Sequence, residues 1–252
     1  MKANSSWQWS AFGKHPVATD FFRLGEDAPL LKGFADWVEK GYQALVSRRT
    51  VSQGLHAWRF WARGSQKENI ACGVVRDSSD RVGRPYPLLI MGTGLLNGWE
   101  DHWDLMPFAC ERTWDQIEYL SAFVANDLKK LEQEVHHIRP PYPGWPDFEM
   151  RRKDLKEMEK QVSFGSDQAE LILDLEMNSN HDQLTQVNLY HTLIRNQMKA
   201  APNVIFMGGT LDRTCLAFFR RPLQTSDFVQ LWSVSTASPS PFPLREEGWK
   251  EG

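Results

Sequence analysis

The sequence is poor in cysteine, has no long apolar run and carries no excess of one charge. Cys72, Cys110 and Cys215 are the only cysteines in 252 residues. An odd, sparse set argues against a disulfide framework and for a reducing compartment, which places the protein in the cytoplasm. The longest apolar stretch, Tyr86 to Met91, falls far short of the roughly 20 residues that cross a bilayer. Met1 to Trp9 lacks the apolar core of a secretory signal. Lys plus Arg number 29 and Asp plus Glu 32, a net charge of −3. Without a basic excess, nothing global points to nucleic acid. Metal-ligand spacings are missing too: no paired cysteines, and a His136-His137 pair whose side chains diverge by about 100° on a helix.

Aromatic side chains are plentiful, with 11 Trp and 14 Phe. They can fill a core or anchor a partner. The hydrophobic share of 41% and charged share of 24% are those of an ordinary soluble globular chain. Alternation predicts a first strand over Trp7–Phe12. Leu31, Phe34, Val38, Tyr42 and Leu45 form the stripe of an amphipathic helix that begins near Pro29. Three strands are predicted at Ala57–Ala62, Ile70–Val75 and Tyr86–Met91. Their linkers are too short for crossover helices, so they are antiparallel. The longest helix is expected to carry the stripe from Trp114 to Val135. Prolines 140, 141, 143 and 146 end it. The segments 149–160 and 168–176 read as weakly helical, and 182–199 as a better helix. Val204–Met207 and Cys215–Phe219 read as a strand pair around Gly208-Gly209. Ser226 or Asp227 is expected to cap a last helix through Trp232. This pattern predicts an α/β fold, an antiparallel sheet with helices on both faces. It spans residues 1–234 as one domain, with a possible helical sub-lobe at 147–200 and a flexible tail at 235–252.

Two loops concentrate polar residues. The first, Gly13 to Phe21, holds His15 and Asp20. The second, Asp77 to Pro85, crowds Asp77, Asp80, Arg81 and Arg84. Asp77 and Asp80 do not follow the spacing of a calcium loop. Arg81 and Arg84 lie on no glycine-rich phosphate loop opening a helix. An internal ion-pair cluster of Asp20, Asp80, Arg81 and Arg84 joining the loops is the expectation. Removing a member of such a buried pair is expected to cost about 3–5 kcal/mol. The alternative is a small hydrolase or nucleotide-dependent enzyme using Asp20, Asp77, Asp80 and Arg81. No cofactor is implied by any motif.

The two loops together resemble the TagF (ImpM) family of the bacterial type VI secretion system. Gly13, Lys14, Pro16, Asp20, Phe21 and Arg23 match its first signature, with His15 where an aliphatic residue is usual. Ser78, Asp80, Arg81, Val82, Gly83, Arg84, Pro87 and Leu88 match the second. The segments VIFMGGT and FFRRPLQTSDFVQL resemble the family's closing strand, turn and short helix. The resemblance implies an α/β/α sandwich related to longin-type domains. It also implies a non-enzymatic repressor acting after translation by binding a forkhead-associated scaffold protein. Trp99, Trp103 and Trp145, in irregular segments, are the expected partner anchors.

Overall fold

The computed structural model describes residues 7–25, 28–48, 54–122, 127–155, 168–175, 183–198 and 200–234. Its strands are β1 (Gln8–Gly13), β2 (Phe22–Leu24), β3 (Ala57–Arg63), β4 (Asn69–Arg76), β5 (Leu88–Leu95), β6 (Glu170–Leu175), β7 (Val204–Thr210) and β8 (Arg213–Phe219). They form one sheet in the order β2-β1-β5-β4-β3-β7-β8-β6. Every pairing is antiparallel. The helices are α1 (Pro29–Ser47), α2 (Met106–Ala122), α3 (Leu128–His136), α4 (Trp145–Leu155), α5 (Gln183–Gln197) and α6 (Thr225–Trp232).

Strand alternation divides the core into two layers, because successive side chains leave opposite faces. Trp58, Phe60, Val75, Leu89, Met91, Phe206 and Phe219 face one side, where α1 and α6 cover them. Trp61, Ile70, Cys72, Val74, Leu88, Ile90, Ile205 and Phe218 face the other, beneath α2, α3 and α5. The central strands β4 and β5 are apolar along most of their length because both faces are covered. Helix α1 starts with Pro29 in its first turn, where a missing N–H costs nothing, and buries Leu31, Phe34, Trp37, Val38 and Leu45. Helix α6 is capped by Gln224 and Asp227 in a reciprocal box.

Several expectations are corrected. Residues 170–175 are strand β6 at the sheet edge, paired to β8, so the stretch 147–200 is not wholly helical. The expected long helix is two helices, α2 and α3. Gly208-Gly209 continue β7, and the turn is Leu211-Asp212. Glycine is required there because a Cβ on Gly208 would sit 2.0 Å from the Ala57 carbonyl oxygen of β3. The tail 235–252 lies outside the described residues.

The three tryptophans expected at the surface are inside. Trp99 is 0% exposed, Trp103 2% and Trp145 8%. Trp99 and Trp103 pack on Trp61 at 5.6 and 6.3 Å. Trp145 stacks on His102 at 5.2 Å and its Nε1–H donates to the Asn97 carbonyl at 2.8 Å. On this face a loop and a 3₁₀ turn, Trp103–Leu105, do part of the covering that helices do on the other. Large loop side chains are therefore drawn into the core.

Candidate functional site

The two signature loops leave the same end of three adjacent strands. Gly13 at the end of β1 lies opposite Leu88 at the start of β5, and Arg76 at the end of β4 lies opposite the same residue. Gly13 has φ 122°, and a Cβ there would fall 2.0 Å from the Pro87 carbonyl oxygen. Only glycine lets the two strand ends approach this closely.

The carboxylate of Asp80 is the hub, with its side chain fully buried. Its Oδ1 accepts the backbone N–H groups of Val82 (3.1 Å) and Arg84 (2.9 Å), folding residues 80–84 into a tight turn. Its Oδ2 accepts from Arg84 Nε (2.7 Å) and meets Lys14 Nζ at 3.0 Å. Burial opposes the charge on Asp80. The Arg84 backbone N–H, the Lys14 ammonium and the Arg84 guanidinium outweigh it and hold the carboxyl well below the usual range. Arg84 Nη2 also donates to the Thr19 carbonyl (2.8 Å) and reaches Asp20 at 3.5 Å. The Arg81 backbone N–H donates to Ala18 O at 2.8 Å. Polar contacts thus stitch the two loops into one unit.

His15 pins that unit to α2. Its Nδ1 accepts the Val17 N–H (3.1 Å), so its Nε2–H donates to the Leu120 carbonyl (3.2 Å). That pattern requires a neutral ring. Burial pushes its pKa down, the Leu120 carbonyl opposes this, and the Arg76 charge adds to it. A histidine whose two nitrogens are both engaged is a fastener, not a base.

Of the expected cluster, the structure joins Asp20, Asp80 and Arg84. It adds Lys14, which sequence reasoning missed although it stands in the first signature. The Arg81 side chain is not part of it. Arg81 is exposed, and its guanidinium has no partner among the described residues. The set Asp20, Asp77, Asp80 and Arg81 shares no common centre of contacts. Asp77 accepts from the His56 backbone N–H (2.8 Å) and Trp232 Nε1 (2.7 Å), tying β3 and β4 to α6. Among the described residues, no three His, Cys, Asp or Glu side chains are grouped to hold a metal.

The outer side of the unit mixes exposed charges, Asp20, Arg81 and Arg84, with apolar residues. Phe21 is 43% exposed and Val82 70%. Phe21 packs edge-on against Phe12 (4.6 Å) and Tyr86 (5.4 Å), and Tyr86 against Tyr42 of α1 (4.9 Å). Tyr42 Oη donates to the Pro85 carbonyl at 3.0 Å. Burial, with help from Glu39 and Tyr42, pushes the Tyr86 hydroxyl up to about 12. An open groove of about 550 Å³ runs beside this row, with Pro16, Leu55, Arg76 and Ser121 in its walls. The available signal for this surface was Phe21 and Val82, apolar residues inside polar loops.

Residues 10–138 match the TagF N-terminal domain, type VI secretion system-associated. The chain belongs to the TagF family. The match covers both signature loops and the strands that carry them. No curated protein matches the chain. Among solved structures, it is similar to PA0076 from Pseudomonas aeruginosa PAO1. The TM-score is 0.55 at 18% identity, over 93% of this chain and 98% of that one. At that identity the likeness speaks for the fold alone. No helix among the described residues is long and apolar enough to cross a membrane.

Proposed function

We propose that this type VI secretion system-associated chain is a cytoplasmic repressor that acts after translation. It works by binding a forkhead-associated scaffold protein, not by catalysis. The observation that carries the reading is the use to which the signature charges are put. Lys14, Asp80 and Arg84 are consumed in joining two loops, which leaves no free acid, base or nucleophile among them. The same stitching holds Arg81 and Val82 outward on the 80–84 turn and leaves Phe21 part-exposed on the first loop. Arginine and aromatic residues on a preorganised backbone are the usual anchors of an interface.

The test is co-purification of the forkhead-associated scaffold of the same secretion system with this chain. The comparison is a Phe21→Ser, Arg81→Ala, Val82→Ser variant. The expected result is loss of the scaffold from a variant that stays folded by circular dichroism, with the melting temperature lowered only by the lost contacts of the Phe21 ring. Full capture by the triple variant overturns this surface, and no capture by the wild-type chain overturns the partner. A steady turnover of phosphate esters that disappears in Asp80→Asn would overturn the non-enzymatic reading.

A further inference from the structure

On the outer side of the second helical layer, α2, the turn after α3 and the start of α4 enclose a groove of about 380 Å³. Ligand pockets begin near this size, roughly 300 Å³. Three guanidinium groups line it, Arg112, Arg139 and Arg151, with two carboxylates, Glu111 and Asp147. Elsewhere Arg59, Arg63, Arg84, Arg195, Arg213 and Arg221 each bridge a carboxylate. In this groove none of the three does so among the described residues. Arg151 instead lies over the Phe108 ring, 3.9 Å from its centre.

The groove is built in advance. Tyr142 N–H donates to Ala109 O (3.0 Å), Thr113 Oγ1 to Arg139 O (2.9 Å), and Arg139 N–H to Gln116 Oε1 (3.0 Å). Those bonds clamp the turn to α2. Its apolar side is Phe108, Phe148 and Tyr142, with ring centres 5.8 and 6.2 Å apart in succession. Three positive and two negative charges leave one positive charge over. A monoanion neutralises it, whereas a phosphate dianion overshoots and meets Glu111 and Asp147. Guanidinium planes pair well with a carboxylate, and the rings accept an apolar neighbour.

We propose that this groove binds a peptide segment in which an acidic side chain stands next to an aromatic one. Arg112 and Arg139 receive the carboxylate, and Phe148 and Tyr142 contact the ring. This site is separate from the signature loops and does not depend on what those loops bind.

The probe is acetyl-Phe-Glu-amide, titrated into the full-length protein and followed by NMR shifts of Thr113, Arg139 and Phe148. Acetyl-Phe-Gln-amide and inorganic phosphate are the comparison ligands. The expected result is saturable binding of the Glu peptide at these residues. Binding of the Gln peptide should be weaker by about tenfold, as befits loss of a charge-assisted contact. Arg112→Gln and Arg139→Gln should each weaken the Glu peptide by a similar factor and leave the Gln peptide unchanged. Equal binding of the two peptides, stronger binding of phosphate, or no saturable shift with the Glu peptide overturns the proposal.

Discussion

The two faces of the sheet solve the same covering problem with different materials. One face is closed by α1 and α6, two regular helices packed on each other and on Trp58, Phe60 and Phe206. The other is closed by α2, α3, α5 and the loop that delivers Trp99 and Trp103. The first face holds few buried polar groups. The second holds the Asp104–Arg195 ion pair, Asn188 and His191, interleaved with its tryptophans. Asn188 Nδ2 donates to the Asp104 carbonyl at 2.7 Å, which ties α5 to the 3₁₀ turn. Regular helices need only an apolar stripe. A cover made partly of loops must also satisfy its backbone, and it does so with buried side chains.

The comparison breaks most severely at Trp99. If the loop is core, Trp99→Ala should cost about 3–5 kcal/mol, the loss expected for a buried aromatic. Urea denaturation measures this. A loss below about 1 kcal/mol, in the range of surface changes, would mean that the loop is only draped on the sheet.

Next is the pH response, which belongs to the second face. His191 is fully buried, with Nδ1 bonded to the Val187 carbonyl at 2.7 Å. Burial pushes its pKa down to about 4, with the Val187 carbonyl and Asp104 opposing. The unfolded chain takes up this proton near pH 6.5 and the native chain does not. Stability from His191 is therefore complete above pH 6.5 and is lost as pH falls toward 4, by about 3 kcal/mol in all. His15 acts in the same direction. Denaturation midpoints between pH 7 and pH 4.5 should fall, and His191→Gln should flatten most of that fall. An unchanged slope in the variant would assign the acid sensitivity elsewhere.

The helical face is probed at Gly41. In an exposed helix, Gly→Ala stabilises by up to about 1 kcal/mol. Here α1 meets α6 so closely that a Cβ would lie 2.3 Å from Phe228. Phe228 is itself stacked on Trp232 at 3.9 Å and has little room to retreat. Gly41→Ala should therefore destabilise by about 1–3 kcal/mol, the range for overpacking. A stabilising result would show that the first face is loosely packed and that the two faces differ little in how tightly they are closed.

What could be read from the sequence follows the same division. The stripe of α1 was legible because an amphipathic helix leaves a period, and the runs of β3, β4 and β5 because strands covered on both faces leave continuous apolar segments. The segment 170–175, Glu-Leu-Ile-Leu-Asp-Leu, has no clean period, and its partner β8 lies some 40 residues away in the chain. Its strand state is set by that pairing, a tertiary effect that local propensity does not carry. Trp99, Trp103 and Trp145 were misplaced for a related reason. Irregular sequence suggested exposure, but Trp99 and Trp103 pack on Trp61 of β3, and Trp145 packs on His102 and bonds to Asn97, partners distant in the chain. At the signature loops, the residue types announced an ion-pair cluster. Which arginine joined it was decided by the turn at Asp80, where Arg84 returns to the carboxylate and Arg81 does not.

That distinction gives the smallest effect and the sharpest one. Arg84 donates to Asp80 and to the Thr19 carbonyl, so Arg84→Ala loosens both loops and should lower the melting temperature. Arg81 contributes to the stitching through its backbone N–H, which alanine retains. Arg81→Ala should therefore leave stability within about 0.5 kcal/mol of wild type, as for other exposed positions. The two variants remove the same charge from the same loop, so net electrostatics cancels in the comparison. A paired thermal melt at pH 7 reads the difference directly. If Arg81→Ala melts as low as Arg84→Ala, the Arg81 guanidinium is part of the fold and is not held in reserve for a partner. If only Arg84→Ala melts early while Arg81→Ala loses the scaffold protein, the loop carries two separable roles three residues apart.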